Sequence, residues 1–433
     1  MIIINTYVIL VLHRRLFSMS SRNVFLLLIG FVLLIVVGNY SYTYLKEKPP
    51  AALIKLVTKT KPPPPLPAGV QAPFTAPAGF TATIFSREIP GARVMIRDSQ
   101  GTMLVSETDG GKVVALPDLD MDGQADRTVI ILQGLKQPHG LALRCRDASV
   151  PNATSSDCLL YVAETGTLTS YRYDANTFKA TTSEIVTTFP TGSGHFTRTL
   201  LLSPDGTKLF IAVGSSCNVC VETDPHRATV VSYDFKTKSV SVVATGLRNT
   251  VFMAIDPKTQ EIWGTENGRD ILGADIPPDE INRISSGKNY GWPLCYGNNV
   301  HDTDFDKKKY LVDPCTHMTT PHIALQAHSA PLGLGFIPDE GWPPEMQGDL
   351  LIAYHGSWNR STPTGYKVVR FNLDRTRNAT SSPLDFLTGF LAPTTSDTDN
   401  ALGRPVGVLT EPGGVVYVSD DRAGAIYRIA LEK

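Results

Sequence analysis

This 433-residue sequence lacks an excess of charge of either sign. It has 40 lysine and arginine residues against 41 aspartate and glutamate residues, which gives a formal net charge of −1. Such a balance does not indicate a nucleic acid or an acidic membrane surface as a partner, and we predict no nucleic-acid binding. Any strongly charged site must therefore be assembled locally by the fold.

Helical periodicity is nearly absent as well, and short apolar runs separated by turns take its place. One unit recurs along the chain, as in VMIRDSQGTMLVSETDGGKVVAL from Val94 and LLLSPDGTKLFIAVG from Leu200. Its central turns lie near residues 100, 152, 205, 257, 343 and 412. The first four turns are about 50 residues apart, the length of a four-stranded blade, and an insertion at residues 268–327 accounts for the wider spacing that follows. We predict an all-β fold, a six-bladed β-propeller over residues 79–433.

Long apolar runs are scarce, and the most prominent one covers residues 24–38. Arg14, Arg15 and Arg22 precede it, which predicts a cytoplasmic tail and signal anchor over residues 1–45 with the rest of the chain outside the cytoplasm. The expected product is a single-pass membrane protein with an extracellular or luminal domain. A cleaved signal peptide is the alternative, and the protein would then be secreted. Residues 46–78 include four consecutive prolines and are predicted to form a stiff linker.

Cysteine is also scarce, and the six cysteines form three close couples. The couples are Cys145 with Cys158, Cys217 with Cys220, and Cys295 with Cys315. Their even number and local spacing, together with the glycan acceptor sequences at Asn152 and Asn378, favour disulfides in an oxidising compartment. A zinc site is the alternative for the central couple, but no second close pair of Cys or His residues has metal-ligand spacing.

Arginine or histidine stands next to the start of the presumed inner strand of every blade. These positions are Arg93, His139, His195 with Arg198, Arg248 with Asn249, His328, and Arg404. Inner strands converge on the propeller axis, so the side chains are expected to meet at one channel mouth. Because arginine suits bidentate recognition of carboxylate or phosphate, the pattern predicts a ligand with several anionic groups. Any single member has a structural alternative, in which backbone carbonyls satisfy it.

Two segments are rich in acidic residues. ENGRDILGADIPPDEIN, from Glu266, places hard oxygen ligands on an irregular loop and suits Ca²⁺, with a solvated acidic loop as the alternative. DLDMDGQAD, from Asp118 to Asp126, begins like an EF-hand loop, but its twelfth position is Val129 instead of glutamate. For this second segment a structural calcium and a plain Asp/Gly turn both stay open.

An ordered series of motifs runs through the chain. It consists of GAR at Arg93, QPHGLAL at His139, GHFTRTLLLSPDG at His195, GLRN at Arg248, ENGRDILGADIPPDEIN, HSAPLGL at His328, HGSWNR at His355 and GRPVGV at Arg404. The series resembles the sorbosone/glucose dehydrogenase family of soluble quinoproteins, and SCNVC and HGSWNR are similar to its fungal pyranose dehydrogenase branch. The resemblance spans residues 80–433. It implies a six-bladed propeller that holds pyrroloquinoline quinone beside Ca²⁺, and the three carboxylates of this cofactor suit a ring of arginines.

The resemblance also implies residue roles. His139 matches the general base, which takes the proton of the anomeric hydroxyl while hydride passes to the quinone. The calcium candidates are the carbonyls of Gly268 and Arg269, with Asp279 in the same segment. The cofactor-binding candidates are Arg93, Arg248, Asn249, His355, Trp358 and Arg404, and the candidates that face the sugar are His195, Arg198 and His328.

The implied activity is oxidation of a sugar at C1, with electrons passed to an external acceptor such as a quinone or a cytochrome. Two other functions fit a propeller of this kind. A calcium-dependent hydrolase of lactonase type needs the acidic loop and a histidine, and a non-catalytic binding propeller needs neither. The arginine ring favours the dehydrogenase over both.

Overall fold

The computed structural model describes residues 72, 74–145, 158–392 and 398–432. The predicted anchor at residues 1–45, most of the predicted linker and the acceptor Asn152 lie outside these ranges. Among the described residues, none belongs to a helix with the length and apolar character needed to span a membrane.

Six sheets, each with four antiparallel strands, follow one another along the chain. Blade 1 contains β2 (Ala92–Arg97), β3 (Met103–Glu107), β4 (Lys112–Leu116) and β5 (Val129–Gln133). Blade 2 contains β6 (Leu141–Cys145), β7 (Cys158–Ala163), β8 (Thr167–Asp174) and β9 (Lys179–Thr188). Blade 3 contains β10 (Leu200–Leu202), β11 (Lys208–Val213), β12 (Thr229–Asp234) and β13 (Ser239–Thr245). Blade 4 contains β14 (Thr250–Ile255), β15 (Ile262–Glu266), β16 (Asp279–Ile284) and β20 (Ile323–Leu325).

The last two blades complete the set. Blade 5 contains β21 (Pro331–Phe336), β22 (Leu350–Tyr354), β23 (Lys367–Phe371) and β24 (Leu384–Leu387). Blade 6 contains β25 (Pro405–Glu411), β26 (Val415–Asp420), β27 (Ala425–Leu431) and β1 (Phe80–Ser86). The first strands of successive blades contact one another in cyclic order, and β25 returns to β2. The predicted six-bladed β-propeller is therefore confirmed.

Closure of the ring joins the two ends of the described chain. Strand β1 pairs antiparallel with β27, so the outermost strand of the last blade comes from the beginning of the domain. Upstream of β1, Thr75 forms a β-bridge with Thr388, and the ring of Phe74 stacks on that of Phe390 at 4.1 Å. Packing against the propeller thus begins within the stretch that the sequence assigned to the linker at residues 46–78.

The second strand of a blade is sandwiched between neighbouring blades, which explains its continuous apolar sequence. All five residues of β3 and all five of β22 are buried. Side chains on the two faces fill the clefts between blades, as where the indole of Trp263 meets the ring of Phe336 at 5.3 Å. Burial on both faces favours unbroken β-branched and aliphatic runs over polar–apolar alternation.

The insertion is shorter than the sequence indicated. The predicted insertion at residues 268–327 contains β16 and β20, which are the third and fourth strands of blade 4. The true insertion lies between them and carries the short strands β17 (Lys288–Asn289), β18 (Cys295–Tyr296) and β19 (Val300–His301). The error arose because polar β16 reads as loop, although its backbone is paired on both sides. A single-turn helix, η1 (Thr398–Asn400), precedes β25.

All three predicted disulfides are present. Cys145 and Cys158 bridge directly opposed positions of β6 and β7. Cys217–Cys220 closes a tight loop after β11, and Cys295–Cys315 closes the insertion. The zinc alternative for the central couple therefore does not hold, since both thiols are consumed.

Inner strands approach each other closely at the axis, and glycine makes this approach possible. A Cβ added at Gly333 in β21 would lie 2.4 Å from the carbonyl oxygen of Val406 in β25. One added at Gly407 in β25 would lie 2.4 Å from the carbonyl oxygen of Arg93. The same carbonyl accepts a hydrogen bond of 2.6 Å from Ser419 Oγ, which ties blade 6 to blade 1.

An alanine at Gly333 is expected to lower the free energy of unfolding by about 1–3 kcal/mol, because the added methyl group overlaps a neighbouring backbone. Gly335 on the same strand is the matched control, since an added Cβ there meets side chains instead of backbone, namely Thr410 at 3.2 Å and Val408 at 3.5 Å. Urea unfolding of Gly333→Ala and Gly335→Ala measures the difference. Equal losses in the two variants would contradict the close approach of the inner strands.

Candidate functional site

A cavity of about 380 Å³ opens where the inner strands begin, and we call it the central cavity. Most of the residues that the sequence assigned to the site line it. These are Arg93, His195, Arg248, Asn249, Gly268, Asp279, His328, His355, Trp358 and Arg404. His139, Arg198 and Arg269 are not among its lining residues. Blades 1, 3, 4, 5 and 6 thus contribute to its wall.

Three guanidinium groups of the wall differ in how far they are compensated. Arg93 Nη1 lies 2.6 Å from Asp421 Oδ2, and Arg248 Nη2 lies 3.0 Å from Asp270 Oδ2. Arg404 donates through Nε to the carbonyl of His355 at 3.1 Å and through Nη2 to the carbonyl of Gly356. Within the described ranges Arg404 forms no ion pair. Arg404 is therefore the guanidinium of the wall that has no carboxylate partner among the described residues, and its positive charge is left for a ligand.

Asp421 connects two sides of the cavity. Its Oδ1 accepts a hydrogen bond of 2.9 Å from His355 Nε2, while Oδ2 pairs with Arg93. Burial opposes ionisation, but His355, Arg93 and Arg404 together hold the pKa of Asp421 below its usual range. Burial and the nearby Arg404 lower the pKa of His355 to about 4, so this imidazole is neutral at physiological pH.

His195 presents one ring nitrogen as a proton acceptor. Its Nδ1 lies 3.0 Å from Ser215 Oγ and 3.2 Å from the Ser215 carbonyl oxygen. Because the carbonyl can only accept and Ser215 Oγ itself donates to the Cys217 carbonyl at 2.6 Å, the proton of the neutral ring is on Nδ1. Burial and the charge of Arg248 lower the pKa of His195 well below its usual value. Nε2 therefore carries a lone pair at neutral pH.

His139 lies in the layer behind the cavity wall. Its side chain is 0 % exposed, and its ring packs edge-on against Phe252 at 5.4 Å and Phe196 at 6.3 Å between centroids. Phe196 lines the cavity, whereas His139 does not. His139 Nε2 has no hydrogen-bond partner among the described residues, and burial followed by the charge of Arg93 lowers the pKa of His139 well below its usual value. Such a position does not favour the predicted contact between His139 and a sugar.

Arg198, predicted to face the sugar, is held by the backbone instead. Its side chain is fully buried, and Nη1 donates to the carbonyls of His195 at 2.9 Å and Thr197 at 2.7 Å. Nη2 donates to the carbonyl of Pro190 at 3.2 Å. The structural alternative therefore applies to Arg198. His328 does line the cavity, and its Nε2 donates to the Gly273 carbonyl at 2.7 Å.

Oxygen atoms cluster on the blade 4 side of the cavity. The carbonyls of Asn267 and Gly268 accept from Arg248 Nη1 at 3.1 and 2.8 Å. Asp279 accepts from the amide of Gly268 at 2.9 Å, and burial raises the pKa of Asp279 to about 7. Asn267 Oδ1 and Asn359 Oδ1 are buried, and neither has a hydrogen-bond partner within the described part of the chain. Unsatisfied amide oxygens beside backbone carbonyls are donors that suit a hard cation such as Ca²⁺.

The side chain of Arg269 points to the insertion. Its Nη1 pairs with Asp302 at 2.8 Å and its Nη2 with Asp304 at 3.0 Å. The resemblance implied that the backbone carbonyl of Arg269 binds calcium. These side-chain contacts do not test that role, which stays a prediction.

The acidic run from Asp118 stays undecided between its two interpretations. The carboxylates of Asp118, Asp120 and Asp122 lie within 4.8 Å of one another. They accept hydrogen bonds from amides of their own loop, including those of Asp122 and Gly123 at 3.1 Å from Asp118. An Asp/Gly turn accounts for these bonds without an ion.

Sequence reasoning missed Asp421, Asn267 and the unusual state of Glu266. A repeated signal was nevertheless present at the ends of the second strands, in SETD from Ser106, TENG from Thr265 and SDDR from Ser419. Glu266 is the last residue of β15, and Asn267 and Asp421 directly follow β15 and β26. Glu266 accepts from the amide of Asn249 and the hydroxyl of Thr250, each at 2.6 Å, and burial raises the pKa of Glu266 to about 8. Residues at the end of a second strand thus form hydrogen bonds to residues at or just before the start of a first strand, as Glu266 does with Asn249 and Thr250.

Comparison with known proteins identifies the chain's relatives. The TrAA12-like family model matches residues 74–432. A pyrroloquinoline quinone-dependent sugar dehydrogenase of Hypocrea jecorina is 26% identical over 420 residues, covering 83% of this chain and 90% of the relative. A pyrroloquinoline quinone-dependent pyranose dehydrogenase of Coprinopsis cinerea is also 26% identical, over 77% of this chain and 51% of the relative. An uncharacterized protein of Borreliella burgdorferi is 37% identical over 55% of this chain and 61% of the relative. The chain thus spans less than two thirds of the length of two of these relatives.

Solved structures share the fold. A Trichoderma reesei enzyme of carbohydrate-active family AA12 has a TM-score of 0.70 and 24% identity, covering 85% of this chain and all of its own chain. The holo pyrroloquinoline quinone domain of the Coprinopsis cinerea pyranose dehydrogenase has a TM-score of 0.69 and 23% identity, over 84% of this chain and 98% of its own. Since the family model extends from the first packed residues to the last strand of the propeller, the chain belongs to the TrAA12-like family.

Proposed function

We propose that this chain is a dehydrogenase that oxidises a sugar at its C1 hydroxyl with pyrroloquinoline quinone and Ca²⁺. The observation that carries the proposal is the central cavity, in which Arg93, Arg248 and Arg404 converge with incomplete compensation. A tricarboxylate matches this excess of positive charge. Two relatives are named as quinone-dependent dehydrogenases of a sugar and of a pyranose, and this supports the same substrate class here.

The residues present fit both groups. Arg93 and Arg404 would contact the carboxylates of the quinone, while Arg248, whose N–H groups all donate within the protein, would contribute its charge. The oxygen cluster of Asn267, Gly268 and Asn359 would hold the cation. When bound, the quinone supplies a hydride acceptor and calcium a Lewis acid that polarises it. Neither a hydrolase nor a binding propeller requires three arginines at this position, so both alternatives are less well supported.

We assign the general base to His195, although the sequence indicated His139. His195 lines the cavity, whereas His139 is fully buried behind Phe196. Ser215 holds the His195 proton on Nδ1, so Nε2 is free to accept the proton of a sugar hydroxyl. Because the pKa of His195 is low, Nε2 is unprotonated before the reaction.

The partners beyond the sugar stay predictions. An external quinone or cytochrome is the expected electron acceptor, and residues 1–45 are the expected membrane anchor. The three disulfides support an oxidising compartment for the catalytic domain.

Replacement of His195 by glutamine should slow reduction of the holoprotein by sugar by about 10²–10⁴-fold, the usual contribution of a positioned base. His139→Gln is the matched comparison and should react at close to the wild-type rate once folded. Stopped-flow absorbance of the quinone measures both rates. A slow His139 variant beside a fast His195 variant would return the role of base to His139.

The rate of this reduction should show little dependence on pH between about pH 6.5 and pH 8. The reason is that a base must be deprotonated to act, and the pKa of His195 lies well below 6.5. The rate should fall only at lower pH, where the imidazole takes up a proton. Measurement of the pH–rate profile under single-turnover conditions tests this, and a rate that climbs through neutrality would contradict it.

Arg404→Lys should weaken quinone binding about ten- to hundredfold, because a lost charge-assisted bond is worth about 1.5–3 kcal/mol and lysine cannot restore the planar fork. Arg198→Lys is the control, since Arg198 is buried, does not line the cavity and donates to backbone carbonyls. Titration of the apoprotein with quinone in calcium buffer gives the affinities. Unchanged affinity in the Arg404 variant would mean that this arginine is structural.

A further inference from the structure

We propose that Asn218, inside the Cys217–Cys220 disulfide loop, is a positioning residue that holds Arg248 and the segment Asn267–Asp270 in register for the cofactor and its cation. Asn218 itself does not line the central cavity. It acts through two groups that do, Arg248 and Asp270. The inference rests on the proposed function, because it concerns how the same site is prepared.

The side-chain amide of Asn218 is engaged through both its oxygen and its nitrogen. Its Oδ1 accepts from Arg248 Nη2 at 2.9 Å and from the backbone amide of Asp270 at 2.7 Å. Its Nδ2 donates to the carbonyl of Asp270 at 2.9 Å. A primary amide is the group that meets all of these needs, since it combines two acceptor lone pairs with donor hydrogens. Asn218 therefore fixes the backbone of Asp270 and the guanidinium of Arg248 with the same side chain.

The backbone of Asn218 adds a second connection. Its carbonyl accepts from Arg248 Nε at 2.9 Å and from Trp292 Nε1 at 3.3 Å. Arg248 thus contacts Asn218 through both Nε and Nη2, which leaves Nη1 to reach the carbonyls of Asn267 and Gly268. The loop therefore sets the orientation of the guanidinium plane of Arg248, although the loop residue Asn218 does not itself line the cavity.

The disulfide loop is fixed on its other side as well. Ser216 donates through its amide and its hydroxyl to Glu222, at 2.6 and 2.8 Å. Ser215 Oγ donates to the Cys217 carbonyl while it lies beside His195 Nδ1. The segment from Ser215 to Cys220 therefore contacts the proposed base, Arg248 and the proposed cation segment.

Loss of the amide should loosen these groups without removing any of them. Asn218 is only partly buried and lies on a loop outside the apolar clusters, so its replacement is expected to leave the propeller folded. Small displacements at a binding or reacting centre nevertheless have large effects, because the site is productive only in one geometry. Cofactor affinity should therefore be reduced even at temperatures well below the one at which the fold is lost.

The test compares Asn218→Ala with Val219→Ala, a neighbour in the same loop whose side chain cannot form hydrogen bonds. Three quantities are measured on the full chain: the dissociation constant for quinone at saturating calcium, that for calcium at fixed quinone, and the thermal midpoint of the apoprotein. Asn218→Ala should weaken both affinities about tenfold or more, because Arg248 and the backbone of Asp270 are no longer held in the binding geometry. Val219→Ala should match the wild type in both affinities. The apoprotein midpoint of Asn218→Ala should lie only slightly lower, since the lost hydrogen bonds belong to one partly buried loop residue.

Asn218→Asp provides the rescue. It keeps oxygen acceptors for Arg248 and for the Asp270 amide, loses the donor to the Asp270 carbonyl and adds a negative charge beside Arg248, so its affinity for calcium should lie between those of the wild type and Asn218→Ala. A purely structural role would instead shift the midpoint and the affinities together in all variants. Asn218→Asp also keeps the inference testable if the alanine variant does not fold.

Hydrogen exchange of the apoprotein separates this inference from the proposed function. In Asn218→Ala the amide of Asp270 loses its acceptor, so peptides that contain residues 267–271 should exchange faster, whatever ligand the cavity binds. A wild type that binds no quinone would overturn the proposed function, while faster exchange would still support the positioning role. Unchanged exchange together with unchanged affinities in Asn218→Ala would overturn the inference.

Discussion

Burial of guanidinium groups at the propeller axis is the constraint on which the rest of the site depends. A charge removed from water is costly unless hydrogen bonds and opposite charges replace its hydration. Arg93 meets this need with Asp421, and Arg248 meets it with Asp270 and backbone carbonyls. Arg404 has backbone carbonyls and the ring of Tyr366, and no carboxylate partner within the described ranges. Because compensation is partial, the folded propeller favours an anionic ligand that completes it.

The same cations determine the state of the histidines. Positive charge and burial both disfavour a second positive charge nearby, so the pKa values of His195 and His355 are low. Each ring is then oriented by one partner, Ser215 for His195 and Asp421 for His355. The positive charge that favours an anionic ligand thus also keeps the imidazole of His195 unprotonated. Binding and proton transfer share one electrostatic cause in the proposed mechanism.

Repetition of the blade explains how the supporting residues reach the cavity. First strands present cations at the mouth, and the ends of second strands bring acidic or amide groups to the same level, as Glu266 and Asp421 show. Loops between strands then specialise individual blades. In blade 3 the disulfide loop around Asn218 connects the histidine side of the cavity to its oxygen-rich side, while in blade 4 the insertion pairs with Arg269.

The blade count, the disulfides and the convergence of cations were predictable from the sequence, because strands, turns and close cysteine couples are local patterns that recur along the chain. Depth within the fold was not. His139 and His195 both precede an inner strand, but only packing of Phe196 against the first and the bond of Ser215 to the second decide which one faces the cavity. Likewise, Arg93 and Asp421 are 328 residues apart, and no local pattern joins them. Their ion pair exists because closure of the ring brings the first blade against the last, which only the tertiary structure decides.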